Sequence, residues 1–210
     1  DIVSLNLHKC KNLKVLFLQG NDIARIDGLN ESYELRELVL DKNRVKYVDT
    51  NAFLGLTNLR ELRLEENGLR SLSNFRNVHN LQLLYLGMNR ISDMNEIDKL
   101  SSIPFLMELT LANNPVSRKQ LYRANVIRRM PTLKIVDGRE IGVDERERVE
   151  LMFVADSRPP NAVFFADQAL DQYGVHNSMS QVGNSRGTAR AVKLTSVNFE
   201  TLTGLAHRRQ

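Results

Sequence analysis

The side chains of this chain best able to do chemistry are distributed for recognition, not reaction. His8, His79, His176 and His207 stand far apart, and none lies at metal-ligand spacing from another or from Cys10, the single cysteine. Gly183 to Gly187 lacks the Lys and the Ser or Thr of a phosphate-cradling loop. No nucleophile stands with its base, so the sequence argues against an enzyme, and it calls for no cofactor, metal or small-molecule substrate. What does recur is a set of carboxylates, Glu37, Asp41, Glu61 and Glu65. They are interleaved with Val15, Phe17, Val39, Leu83 and Tyr85, and with Arg63. Carboxylates beside apolar side chains suit a protein partner that presents Lys or Arg together with an apolar anchor. That chemistry requires one surface to carry all of these residues.

A repeat supplies the surface. Leu13, Leu16, Leu18, Asn21, Ile23 and Ile26 align class by class with Leu35, Leu38, Leu40, Asn43, Val45 and Val48. The pattern returns as Leu59, Leu62, Leu64, Asn67, Leu69 and Leu72, and as Leu81, Leu84, Leu86, Asn89, Ile91 and Met94. It ends in Leu106, Leu109, Leu111, Asn114 and Val116. Five repeats therefore start at 13, 35, 59, 81 and 106, with a partial repeat over 1–12. In LxxLxL the last two leucines are two apart, so on a strand both face the core and the residues between them face out. One repeat cannot bury its leucines alone, so the copies must stack as parallel strands. The expected fold is an α/β solenoid, a right-handed superhelix. Its parallel sheet lines the concave face, and short helices or 3₁₀ turns at 27–33, 74–80 and 95–103 line the convex one. The residues named above then fall in outward columns of the sheet. Val15, Phe17 and Val39 form an apolar patch, the four carboxylates form an acidic band, and Leu83 with Tyr85 forms a second apolar spot. The alternative is an ordinary solvated sheet whose Phe17 is covered by further repeats. The Asn column sits where the chain turns inward, where an amide satisfies buried backbone groups. Cys10 reads as a core residue.

After Asn114 and Pro115 the rhythm changes. Ser117 with Gln120 suggests a capping box, Tyr122, Val126 and Met130 fall at helical spacing, and Pro131 marks the stop, predicting a helix over about 118–129. Asp137 and Gly138 signal a turn, and Asp144 with Glu147 suggests a second capping box before Val149, Met152 and Phe153. Residues 117–156 thus read as a cap over the open core of the last repeat. The run from Asn114 to Val149 resembles the cap of the short-helix class of leucine-rich repeats. The matching marks are Asn114, Pro115, Tyr122 with Arg123, Met130, Pro131, Leu133, Asp137 with Gly138, and Glu145 with Arg146. The class includes a regulatory subunit of protein phosphatase 1, the A-prime subunit of the spliceosomal U2 particle, dynein-associated light chains and several long ciliary repeat proteins. The DERERVE continuation is most similar to the ciliary members. The resemblance implies an interaction scaffold in a ciliary, axonemal or other cytoskeletal assembly. A phosphatase-regulating subunit and a ribonucleoprotein subunit are its alternatives.

The cap also gathers Arg118, Lys119, Arg123, Arg128, Arg129, Lys134 and Arg139. These could meet phosphates or an acidic tail, but a solvated helix face with Arg128 and Arg129 against the helix dipole explains them more simply. Without an aromatic platform they do not argue for RNA. The formal charge of +4 is too small to imply nucleic acid either. No window approaches the roughly 18 apolar residues of a membrane span, and a lone cysteine fits a reducing, cytoplasmic setting. The chain opens directly in Ile2, Leu5 and Leu7 without a leader, as a piece of a longer protein would. Residues 157–210 read as an extended or flexible tail. Within it Val192, Leu194, Val197 and Phe199 could dock on a partner, and Val197 with Phe199 faintly resembles the motif read by protein phosphatase 1.

Overall fold

The computed structural model describes Ile2 and residues 10–156, which lie in one compact unit, Asp1–Pro159. Each LxxLxL segment forms a three-residue strand: β1 (Val15–Phe17), β2 (Glu37–Val39), β3 (Glu61–Arg63), β4 (Leu83–Tyr85) and β5 (Glu108–Thr110). They pair in sequence order, all parallel, with Leu16, Leu38, Leu62, Leu84 and Leu109 in register. The extra residues of the second and fourth repeats leave that register intact, because they are taken up on the return path. There the chain forms 3₁₀ turn Phe75–Asn77 and helix α1 (Asn95–Asp98), which bury Phe75 and Ile97.

The leucines of the repeat make one continuous core. Leu38, Leu62, Leu84 and Leu109 are fully buried, and Phe53 meets Phe75 edge to face behind them. Each such leucine contributes about 1.5–3 kcal/mol relative to an exposed one. Leu13 and Leu16 are only partly buried, because β1 has a strand neighbour on one side only among the described residues. Cys10 is a correction to the expected core residue: it is exposed. Its column is filled by buried Leu56, Val78 and Ile103 in later repeats, but no described turn stacks on the outer side of Cys10.

The asparagines stitch one turn to the next. Asn43 donates from Nδ2 to the carbonyls of Leu18 and Leu40 at 2.9 and 3.0 Å, and its Oδ1 accepts the Ile23 N–H at 3.0 Å. Asn67, Asn89 and Asn114 repeat the arrangement on Val45, Leu69 and Ile91. Even Ile2 donates its N–H to Asn21, as a residue of a preceding turn would. An unpaired buried backbone group costs about 1–3 kcal/mol, so this column is structural.

The capping boxes expected from the sequence are not what starts the helices. Pro115 tightens the chain at once into 3₁₀ turn Pro115–Arg118, so Ser117 lies inside that turn and donates its hydroxyl to the Asn114 carbonyl. Helix α2 is correspondingly shorter than expected, Tyr122–Arg129, and is preceded by Leu121 at φ 56°. Asp144 stands inside the first turn of helix α3 (Val143–Asp156), not at its cap, where its charge faces the positive end of the helix. Between the two helices strand β6 (Ile135–Val136) pairs parallel with β5, and the chain then turns back into antiparallel β7 (Arg139–Glu140).

Candidate protein-binding surface

In an antiparallel or parallel ladder, residues directly opposite share one face. The register places Val15, Glu37, Glu61, Leu83 and Glu108 in one outward row and Phe17, Val39, Arg63, Tyr85 and Thr110 in the next. All ten residues singled out from the sequence therefore lie on or at the end of the same sheet face, with Asp41 and Glu65 just past their strands. Phe17 is 60% exposed and Val15 is 41% exposed, a large apolar area on an open face. Val39 differs from the expected exposed residue: at 6% exposure it is floored over, in a recess lined by Phe17, Glu37, Asp41 and Arg63. Its branched side chain is short and stands in the row between the longer Phe17 and Arg63. Leu83 and Tyr85 are half-buried.

The acidic band is not bare. The Arg63 guanidinium lies 3.2 Å from Asp41, 3.5 Å from Glu65 and 3.8 Å from Glu61, and 4.8 Å above the Tyr85 ring. Asp41 also accepts the Glu65 N–H at 2.7 Å. Gly87 makes room for this cluster, since a β-carbon there would stand 2.7 Å from Glu65 Oε1. One cation cannot neutralise Glu37, Asp41, Glu61, Glu65 and Glu108 together. Burial, and then the neighbouring charge of Glu37, pushes the Glu61 carboxyl above its ordinary value; burial and then Asp41 do the same to Glu65. Tyr85 is pushed up to about 12 by burial and by Glu108. Burial is the main cause of all three shifts and the neighbouring carboxylates add to it, so further negative charge is disfavoured here. Sequence reasoning placed Arg63 in the correct row but missed its clamp on three carboxylates. The signal was its position between Glu61 and Glu65 on one short strand.

At the other end of the sheet the cap is assembled by polar contacts. In earlier turns the N–H that follows each strand donates to a carbonyl of the next one, Leu86 to Thr110 for example. After β5 the chain reverses at Asp137 and Gly138, both at positive φ, and the Asp137 carboxylate takes the Leu111 N–H at 2.7 Å instead. Its other oxygen accepts the Tyr122 hydroxyl at 3.0 Å, and burial followed by the Asp137 charge raises the Tyr122 hydroxyl well above the usual range. Arg123 reaches both oxygens of Glu145 at 2.7 and 2.9 Å, and donates to the carbonyls of Val136 and Glu140. Arg146 donates to those of Ile127 and Leu133. Within the basic group of the cap, Arg123 is thus internal, Arg129 pairs with Asp98, and Arg128 lies over Phe153. The tail residues Val192, Leu194, Val197 and Phe199, and His8, His176 and His207, lie outside the described residues. Among the described residues no three His, Cys, Asp or Glu side chains are placed to hold a metal ion, and no helix is long and apolar enough to cross a membrane.

Stacked parallel strands, an asparagine ladder and a hydrogen-bonded terminal cap define a repeat protein of the leucine-rich class. Family models described as leucine-rich repeat match residues 33–91 and 75–159, and the chain belongs to the leucine-rich repeat family. It is 35% identical to dynein axonemal light chain 1 of Chlamydomonas reinhardtii, over 72% of this chain and 78% of that protein. It is 27% identical to the probable U2 small nuclear ribonucleoprotein A′ of Caenorhabditis elegans, over 68% of this chain. The chain spans about half the length of that nematode relative, 48%. Among solved structures, an internalin C2 of Listeria monocytogenes is similar at 29% identity, with a TM-score of 0.50 over 62% of this chain and 53% of that one.

Proposed function

We propose that the chain is a non-catalytic protein-interaction module that holds a partner on its concave sheet, within an axonemal or other cytoskeletal assembly in the cytoplasm. The observation that carries the reading is the pairing of an exposed aromatic, Phe17, with three carboxylates held around one guanidinium and two more beside them in the same row. Folding gains little from either feature. A partner bearing Lys or Arg beside an apolar anchor gains from both. Likeness to an axonemal dynein light chain supports the setting, as does the resemblance of the cap to ciliary repeat proteins. Likeness to a U2 ribonucleoprotein subunit favours a second reading, a scaffold in a ribonucleoprotein particle.

Capture from ciliated-cell extract separates the two. The wild-type chain recovers axonemal proteins on the first reading and U2-particle proteins on the second. Phe17→Ala with Tyr85→Ala removes the anchors, costing roughly 2 kcal/mol or more, about a thirtyfold loss of affinity. Unchanged recovery by that variant would reject the concave surface.

A further inference from the structure

Several surface cations of this solenoid pair with an acid on a neighbouring turn. Lys11 pairs with Glu31 at 3.0 Å, Arg25 with Asp49 at 2.9 Å, and Lys42 with Glu66 at 3.5 Å, each reaching an acid on an adjacent turn. One group of cations is instead gathered in a single recess. Just past the sheet, beside the asparagine ladder, a recess of about 490 Å³ is lined by Arg44, Lys46, Arg70 and Arg90, together with Asn43, Asn67 and Gly68. Only Arg44 has an acid, Asp22 at 2.8 Å on the outer side. The side chains of Lys46, Arg70 and Arg90 have no hydrogen bond or ion pair among the described residues, and no carboxylate lines the recess.

The repeat explains how the group is assembled. Arg44, Gly68 and Arg90 occupy one column of successive turns, and Lys46 and Arg70 occupy the next. Adjacent turns lie about 5 Å apart, so Arg44 and Arg90 are spread over about 10 Å. Gly68, between them, contributes no side chain and leaves the floor open. A β-carbon there would already press on Lys46 Cγ at 3.2 Å. The amides of Asn43 and Asn67 are fully used by the ladder, which leaves the cations to do any binding. Like charges stacked on neighbouring turns oppose folding, and so gain nothing for the fold.

We propose that this recess is an anion site for a phosphorylated segment of a protein partner, extended across the turns that carry Arg44, Lys46, Arg70 and Arg90. Three of the four cations are arginines, whose planar forks take two oxygens each. A phosphate monoester offers three acceptor oxygens and close to two charges, which suits them better than a lone carboxylate. The 10 Å spread exceeds one phosphate group, so the ligand carries further negative charge along its length. No aromatic lines the recess, so it lacks the stacking platform of single-stranded RNA sites.

The test titrates the full 210-residue chain with a short Gly/Ser peptide carrying two adjacent phosphoserines. Its unphosphorylated twin, inorganic phosphate and an oligouridylate are the comparison ligands, and the Gly68 amide is followed by NMR. The diphosphorylated peptide should bind best and shift Gly68. Arg70→Gln with Arg90→Gln should weaken it tenfold or more, and Arg70→Lys with Arg90→Lys only a few-fold. All three substituted side chains are exposed, and Lys46→Gln alone should weaken binding severalfold should the double variant lose its fold. Equal binding of the unphosphorylated twin or of inorganic phosphate would overturn the proposal. So would tighter binding of oligouridylate, or undiminished binding by the Gln variants.

Discussion

The centre of the sheet and the cap both gather charged side chains, and they use them in opposite ways. In the cap the charges at the joins between elements meet complementary groups: Glu145 on Arg123, Asp137 on a backbone N–H and a hydroxyl, Arg146 on two carbonyls. On the sheet, carboxylates outnumber the one cation among them. The carboxyl shifts record the difference. Hydrogen bonding to Arg123 holds Glu145 below its ordinary value, while burial and like charge raise Glu61 and Glu65. At neutral pH the Glu145 charge in the cap therefore stabilises the fold, and the Glu61 and Glu65 charges on the sheet oppose it. Groups that fold at a cost, on an exposed face beside Phe17, are what a binding surface needs.

Breaking the cap should have the largest effect. Asp137→Ala strands the Leu111 N–H and the Tyr122 hydroxyl, and should lower unfolding stability in urea by about 3 kcal/mol. Asp137→Asn keeps an acceptor and tolerates the positive φ, so it should lose only about 1 kcal/mol. Arg123→Ala comes next, at about 2 kcal/mol by the same measurement, since it removes a two-oxygen ion pair and bonds to two carbonyls. If these variants proved neutral, the contrast between cap and sheet would collapse.

The pH dependence sharpens the contrast. A carboxyl whose folded value is lowered contributes stability that is complete above its ordinary 4.5 and lost as the pH falls through the folded value, which is the case of Glu145. A raised carboxyl contributes stability that is complete below 4.5 and lost as the pH rises through its folded value, the case of Glu61 and Glu65. Urea midpoints collected from acid to neutral pH should therefore fall less steeply toward acid in Glu145→Gln than in wild type. Glu61→Gln should show the reverse, with a gain of a few tenths of a kcal/mol at neutral pH, the smallest effect of the set.

The fold was legible in the sequence because it rests on periodicity. Leu38, Leu62 and Leu84 recur at the strand spacing, and each Asn follows at a fixed offset, so register, facing and core follow without knowledge of any contact. The cap was legible as a terminator but not in its mechanism. That Asp137 substitutes for a missing strand carbonyl depends on where the chain reverses, and that Ser117 is no helix cap depends on Pro115 tightening the turn first. Exposure was legible only in part. Alternation put Val39 on the open face, but its short side chain sits in a recess between larger neighbours and is buried. The basic recess at Arg44, Lys46, Arg70 and Arg90 went unnoticed for a related reason. Its residues are ordinary surface cations until the stacking brings them to one recess that no carboxylate lines.

The most direct measurement is capture by Glu37→Gln with Glu61→Gln and Glu65→Gln, with its urea stability recorded alongside. The variant should fold at least as stably as wild type at neutral pH and lose the partner that the wild-type sheet recovers. A variant that unfolds, or that keeps its partner undiminished, would show that these carboxylates serve the fold and not recognition.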